Sequence, residues 1–190
     1  MNHLKHIAIF ASGTGSNARK MMEYFANHPR IRVALVVSNR AEAPVLATAA
    51  TWGIPTLVIN RHDFYHTQDI LTQLQAYDIS FIVLAGFLWL APDYLVNAFP
   101  RKIVNIHPAL LPKYGGKGMY GAFVHEAVKA AGESQTGITI HYVNERYDEG
   151  DIIFQATCDL SPEDSPKDIA HKVQELEHAY FASVVESIIA

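Results

Sequence analysis

Two side chains able to hold a developing negative charge sit where a strand runs out. Residues 102–113 read KIVNIHPALLPK. Asn105 and His107 are two positions apart, so on an extended strand they share one face. An amide donates two N–H groups, and an imidazolium donates from either ring nitrogen. Together they could hold the oxyanion of a tetrahedral intermediate, often the largest contribution to acyl-transfer catalysis. Pro108 removes a ladder donor and ends the strand. A capped strand end beside a hydrogen-bonded interior histidine would have the same pattern, so a third group is needed. Residues 144–153, NERYDEGDII, offer Asp148, Glu149 and Asp151. A carboxylate beside His107 would favour the charged ring and orient it. Spacing does not choose among the three, and a solvated acidic turn would look alike.

A second chemical signal lies near the start, where residues 11–17 read ASGTGSN. Gly13, Thr14 and Gly15 fall between a predicted strand and a predicted helix. Glycines allow a tight turn and close ligand approach. The helix N-terminus then presents unpaired N–H groups that suit a phosphate, and Ser16 and Asn17 add side-chain donors. This is not a Walker loop, because Gly-Lys-Ser/Thr is missing. Gly13, Gly15 and Ala18 fit G-x-G-x-x-A. However, the second strand ends in VVSNRAEA, with no acid at its tip for a ribose. A plain strand-to-helix turn would use the same glycines.

These residues need elements to position them. Continuous apolar runs at 6–12, 32–38, 56–59, 80–87 and 102–107 suit strands covered on both faces. Between them, 16–28, 43–52 and 64–77 carry helical spacing, with Ala18, Met21, Met22 and Phe25 on one face of the first. After His107 come a glycine-rich loop (112–121) and a helix (122–132) that Gly132 can cap. Runs at 136–143 and 151–160 could pair as a hairpin, and Ser, Asp and Pro introduce a final helix within 161–190. The pattern predicts an α/β fold: a mostly parallel central sheet, helices on both faces and an antiparallel C-terminal hairpin. One domain over 1–190 is expected.

Composition narrows the chemistry. The chain is 49% apolar and 18% charged over 190 residues, enough to bury a sizeable core. A net charge of -4 opposes non-specific nucleic-acid binding but allows one locally positive anion site. Cys158 is the lone cysteine, so no internal disulfide is expected, and no Cys/His spacing suggests a metal site. The first residues lack a signal-peptide pattern, and no apolar run reaches membrane-span length. A soluble, cytoplasmic protein is expected.

Together with LAGFLWL (84–90), the stretches ASGTGSN, NIHPALLPKYGG and TIHYVNERYDEGDII resemble the glycinamide ribonucleotide formyltransferase family. The resemblance runs from His6 to the final helix. NIHPALLPKY is similar to that family's N-I-H-P-S-L-L-P-K-Y, with Ala109 in place of Ser. It implies a Rossmann-like formyltransferase fold. It also implies transfer of a formyl group from 10-formyltetrahydrofolate to the amine of glycinamide ribonucleotide, a step of purine (IMP) biosynthesis. The trio it implies is Asn105, His107 and Asp148, the last through the family's D-x-G and its distance from His141. A protonated His107, its pKa raised by Asp148, and Asn105 would stabilise the oxyanion, with no covalent intermediate and no metal. Gly13, Thr14, Gly15, Ser16, Asn17, Gln174 and Glu177 would bind the ribonucleotide. Leu88, Trp89, Leu90, Ala91 and Asn105 would bind the folate.

Three departures are visible. Trp89 stands where many relatives have Arg, Arg61 and His62 have no assigned match, and after Tyr114 the family's P-G-x-H-x-H is replaced by a segment keeping only His125. Small-molecule substrates are expected as partners, without nucleic acid or membrane, in a monomer or homodimer. A formyl-folate hydrolase or a methionyl-tRNA formyltransferase shares the N-x-H-P and acid core. The first would carry an additional N-terminal domain, and the second a C-terminal barrel and a more basic surface. A non-catalytic nucleotide-binding module would not bring Asn105, His107 and Asp148 together.

Overall fold

In the computed structural model, which describes residues 4–189, the apolar runs form one seven-stranded sheet. Its strands are β1 (Lys5–Phe10), β2 (Ile31–Ser38), β3 (Thr56–Val58), β4 (Ile79–Leu84), β5 (Ile103–His107), β6 (Gln135–Tyr142) and β7 (Ile152–Asp159). The order is β3-β2-β1-β4-β5-β6-β7. Pairing is parallel from β3 to β5 and antiparallel across β5, β6 and β7. The predicted hairpin is thus β6–β7, and it extends the sheet beyond β5.

Side-chain alternation explains the unbroken apolar runs. From β1, Ile7 and Ile9 enter one core, while Ala8 and Phe10 enter the other. The first core lies under α1 (Ser16–Phe25), α2 (Pro44–Thr51), α6 (Ala122–Ala130) and α7 (Pro166–Ile189). The second lies under α3 (Arg61–His66), α4 (Asp69–Ala76) and α5 (Asp93–Ala98). On β5, Val104 and Ile106 face the first core, which leaves Asn105 and His107 to the opposite face.

Two helices differ from expectation. The stretch 64–77 is not one helix but α3 and α4, parted at Thr67 and Gln68. Thr67 is extended, at φ −121° and ψ 179°. Its hydroxyl donates to Asp63 O (2.9 Å) and accepts from Asp69 N (3.3 Å), closing one helix and starting the next. Asn60 caps α3 by accepting from Asp63 N at 2.9 Å. The six-residue α5 follows Pro92 and is too short to show a period. Gly132 ends α6 at φ +65°, as expected. The final helix was expected within 161–190; residue 190 and residues 1–3 lie outside the described part. Among the described residues no helix is long and apolar enough to cross a membrane.

Where β6 and β7 meet, Gly137 leaves no room for a side chain. A Cβ there would collide with the Ala156 carbonyl and stand 2.8 Å from Leu110 Cδ2. Gly137→Ala should destabilise the protein by at least about 1–3 kcal/mol. Urea unfolding would register this as a lower midpoint at an unchanged slope.

Candidate active site

The antiparallel pairing of β5 with β6 sets Asn105 opposite His141 and His107 opposite Thr139. Thr139 stabilises the exit from β5. Its hydroxyl donates to Ala109 O (2.7 Å) and accepts from Leu111 N (3.0 Å), while Gln155 Nε2 donates to it and to Leu111 O. The two polar residues therefore stand on a braced strand end. The turn between β6 and β7 brings Asp148 back against them, its backbone left-handed at φ +57°.

Asp148 is the acid that meets His107. Its Oδ2 lies 3.5 Å from His107 Nδ1 and accepts from Gly116 N at 2.9 Å. Its Oδ1 lies 3.6 Å from His141 Nε2, beyond hydrogen-bond reach. Asp151 instead pairs with Arg101 at 2.7 Å, and Glu149 with Arg146 at 3.2 Å, both in solvent. Burial raises the Asp148 carboxyl, but His141, His107 and the Gly116 N–H outweigh it, leaving the pKa below its ordinary value.

His107 departs from the expected charged state. Burial, with only 3% of the residue exposed, pushes its pKa below the ordinary imidazole value. Asp148 and the Tyr114 carbonyl pull upward without outweighing burial, and His141 adds to the lowering. The tautomer follows from geometry. Nε2 lies 2.7 Å from Tyr114 O, and a carbonyl only accepts, so Nε2 carries the proton. Nδ1 is left facing Asp148. The resting ring is set up to receive a proton rather than to donate one into the cavity.

His141 was not picked out as a site residue, although its position helped to locate Asp148. Its Nδ1 donates to Tyr142 O at 2.8 Å, so Nε2 accepts from Asn105 Nδ2 at 3.2 Å. One Asn105 N–H is committed and the other remains for a ligand. The sequence signal was its place on β6, but only the strand register puts it beside Asn105.

All these groups line one cavity of about 1020 Å³. Residues 13–17, 88–91, Gln174 and Glu177 line it as well, whereas Arg61, His62, Glu149 and Asp151 do not. At the glycine loop, Gly15 has φ +70° and opens α1. Ser12 Oγ accepts from Leu88 N at 3.0 Å, tying this loop to the end of β4. Gln174 Nε2 donates to Ser16 Oγ (3.3 Å) and Asn17 Nδ2 to Glu177 Oε2 (2.8 Å), which docks α7 on the loop. Arg40, Lys117 and Lys167 also line the cavity, and none makes an ion pair among the described residues. The protein is acidic overall, yet these three cations stand at one cavity.

The other end is aromatic. Trp89 packs with Phe87 and Phe64, and Tyr65 donates to Leu90 O at 3.1 Å. The Arg61 guanidinium lies 5.6 Å from the Trp89 ring and 5.3 Å from that of Tyr65. His125 is buried on the first turn of α6, lines the cavity, and has an Nδ1 without a partner among the described residues.

Burial raises the Glu177 carboxyl above its ordinary pKa, and the Asn17 amide only partly opposes this. A raised folded-state value favours the protonated form. Its stabilising contribution is complete below the ordinary glutamate pKa of about 4.3 and is lost as pH rises through the folded value. Glu177→Gln should therefore raise Tm at pH 7, by about 2–4 °C for each kcal/mol relieved. The gain should vanish near pH 4, as followed by calorimetry at both pH values.

Comparison with known proteins gives a consistent picture. The Formyl transferase family model matches residues 5–185. A chloroplastic phosphoribosylglycinamide formyltransferase of Arabidopsis thaliana is 40% identical over 190 residues, covering 97% of this chain and 65% of that protein. The chain likewise spans 61% of the Vigna unguiculata counterpart. Phosphoribosylglycinamide formyltransferase of Bacillus subtilis is 32% identical over 98% of this chain and 95% of its own. The solved glycinamide ribonucleotide transformylase 1 of Geobacillus kaustophilus superposes with a TM-score of 0.89 at 33% identity, covering 99% of this chain and all of that one.

Proposed function

The chain belongs to the formyl transferase family, with relatives named phosphoribosylglycinamide formyltransferase, and on that premise we propose that it formylates glycinamide ribonucleotide. The donor in this reading is 10-formyltetrahydrofolate, and the step belongs to purine biosynthesis. Residues 1–190 act as one formyltransferase domain. The observation that carries the reading is one cavity lined by the glycine loop, by Phe87 and Trp89, and by Asn105, His107 and Asp148. A glycine loop at a helix start, in a cavity that Arg40, Lys117 and Lys167 also line, suits a phosphate, and an aromatic wall suits a pterin and its ring system.

The phosphate rests on residues 13–17, with Gln174 and Glu177 toward the ribose. The folate lies along residues 88–91. The amine attacks the formyl carbon, forming a C–N bond while the carbonyl π pair moves onto oxygen. The free N–H of Asn105 stabilises that oxyanion. The proton shed by the amine passes to the His107–Asp148 pair, arriving at Nδ1, where the carboxylate stabilises the new imidazolium. Collapse breaks the bond from the formyl carbon to folate nitrogen, and that nitrogen takes up a proton as tetrahydrofolate leaves. No serine, cysteine or lysine nucleophile takes part.

The testing assay follows formyl transfer with and without glycinamide ribonucleotide. Product should form only with the ribonucleotide present; formate released without it would instead favour a hydrolase. Asn105→Ala should lower kcat by about a hundred- to a thousandfold, the loss of one oxyanion donor. Ser16→Ala combined with Asn17→Ala should chiefly raise KM for the ribonucleotide. Wild-type turnover in His107→Ala would sink the proton-transfer role.

A further inference from the structure

The carbonyl that holds the His107 proton sits on a segment with little reason to stay still. Residues 115–118 read GGKG, and Gly116 and Gly118 both have positive φ. Tyr114 itself is left-handed at φ +56°, a conformation that a bulky side chain adopts only when its surroundings impose it. A loop of this composition does not hold a carbonyl in register by backbone preference.

What holds it is Glu133. Its Oε1 accepts from the Tyr114 hydroxyl and from Lys113 Nζ, each at 2.8 Å. Glu133 is itself well anchored. It follows the Gly132 that ends α6, and its N–H reaches back to Val128 O at 3.4 Å. Tyr114 packs against the core beneath α6 and α7. On the far side, Gly116 N donates to Asp148 Oδ2 at 2.9 Å. The short segment 114–116 is therefore pinned at one end by Glu133 and at the other by Asp148. Between these pins the Tyr114 carbonyl meets His107 Nε2 at 2.7 Å.

We propose that Glu133 is a positioning residue for the reaction. Through the Tyr114 hydroxyl it fixes the backbone carbonyl that keeps the His107 proton on Nε2, and so keeps Nδ1 bare and turned to Asp148. This rests on the reading of His107 as the proton acceptor. Without the latch, the carbonyl drifts, the proton is free to occupy either nitrogen, and the fraction of enzyme ready to accept at Nδ1 falls.

The test uses ¹⁵N-labelled full-length protein and the variants Glu133→Ala, Tyr114→Phe and Glu133→Gln. In the wild type, the His107 ¹⁵N resonances should report a protonated Nε2 and a bare Nδ1. In Glu133→Ala and Tyr114→Phe both should move toward mixed tautomers. The same two variants should lose about tenfold in kcat through misplacement of the acceptor, with both KM values kept within about twofold. The acid limb of the kcat profile should shift to lower pH, because the carbonyl favours the charged ring. Glu133→Gln keeps an oxygen acceptor for the Tyr114 hydroxyl and should restore most of kcat. Tyr114→Phe keeps the ring's packing, so it covers the case in which Glu133→Ala folds poorly. Unmoved His107 resonances in both variants would overturn the latch, whatever happens to turnover. Shifted resonances with wild-type turnover, in these variants and in His107→Ala, would support the latch while refuting the catalytic reading of His107.

Discussion

A carboxylate withdrawn from water must be met by opposite charge or by N–H groups, or it costs several kcal/mol. Asp148 is such a group, and much of the site can be understood as the set of partners it gathers. It accepts the Gly116 N–H from the glycine-rich loop and faces the bare Nδ1 of His107, which becomes its cationic partner once the ring takes up a proton. The end of β5, the glycine-rich loop and the β6–β7 turn meet at this carboxylate. Asp148 accepts a left-handed backbone to get there, a strain of the kind found at functional positions.

The sheet makes this convergence possible by changing direction. Parallel strands β3 to β5 deliver their C-terminal ends to one edge, where ligands of α/β proteins bind. The antiparallel β6 then returns alongside β5, so a second set of side chains reaches the same edge from the opposite sense. This is how His141 comes to stand beside Asn105, and how the β6–β7 turn hangs over His107. The electrostatics follow the same division. Arg40, Lys117 and Lys167 line the cavity, while Arg61 lies over the Trp89 ring.

Much of this was legible in the residues. Uninterrupted apolar runs marked the buried strands, and Asn105 with His107 before Pro108 marked the strand end. What stayed hidden was whatever depends on pairing or burial. His141 needed the β5–β6 register. The choice of Asp148 over Glu149 and Asp151 needed the fold of the turn, or a family resemblance. The low pKa of His107 depends on burial, which local spacing does not encode; from charge alone, Asp148 argues for the opposite shift. The break at Thr67 turned on one hydroxyl serving two helices. The approach of Arg61 to the Trp89 ring depends on how α3 packs, which spacing does not encode. Glu133, in a turn after a helix, had no visible reason to matter until its bond to Tyr114 was seen.

The central claim is that His107 and Asp148 handle the proton as one unit. A double-mutant cycle on kcat tests it most directly, with His107→Ala, Asp148→Ala and the two combined at saturating substrates. A single unit predicts strong non-additivity: the double variant should be about as slow as the slower single variant. If the two losses multiply, the residues act independently and the account of a shared proton site is wrong.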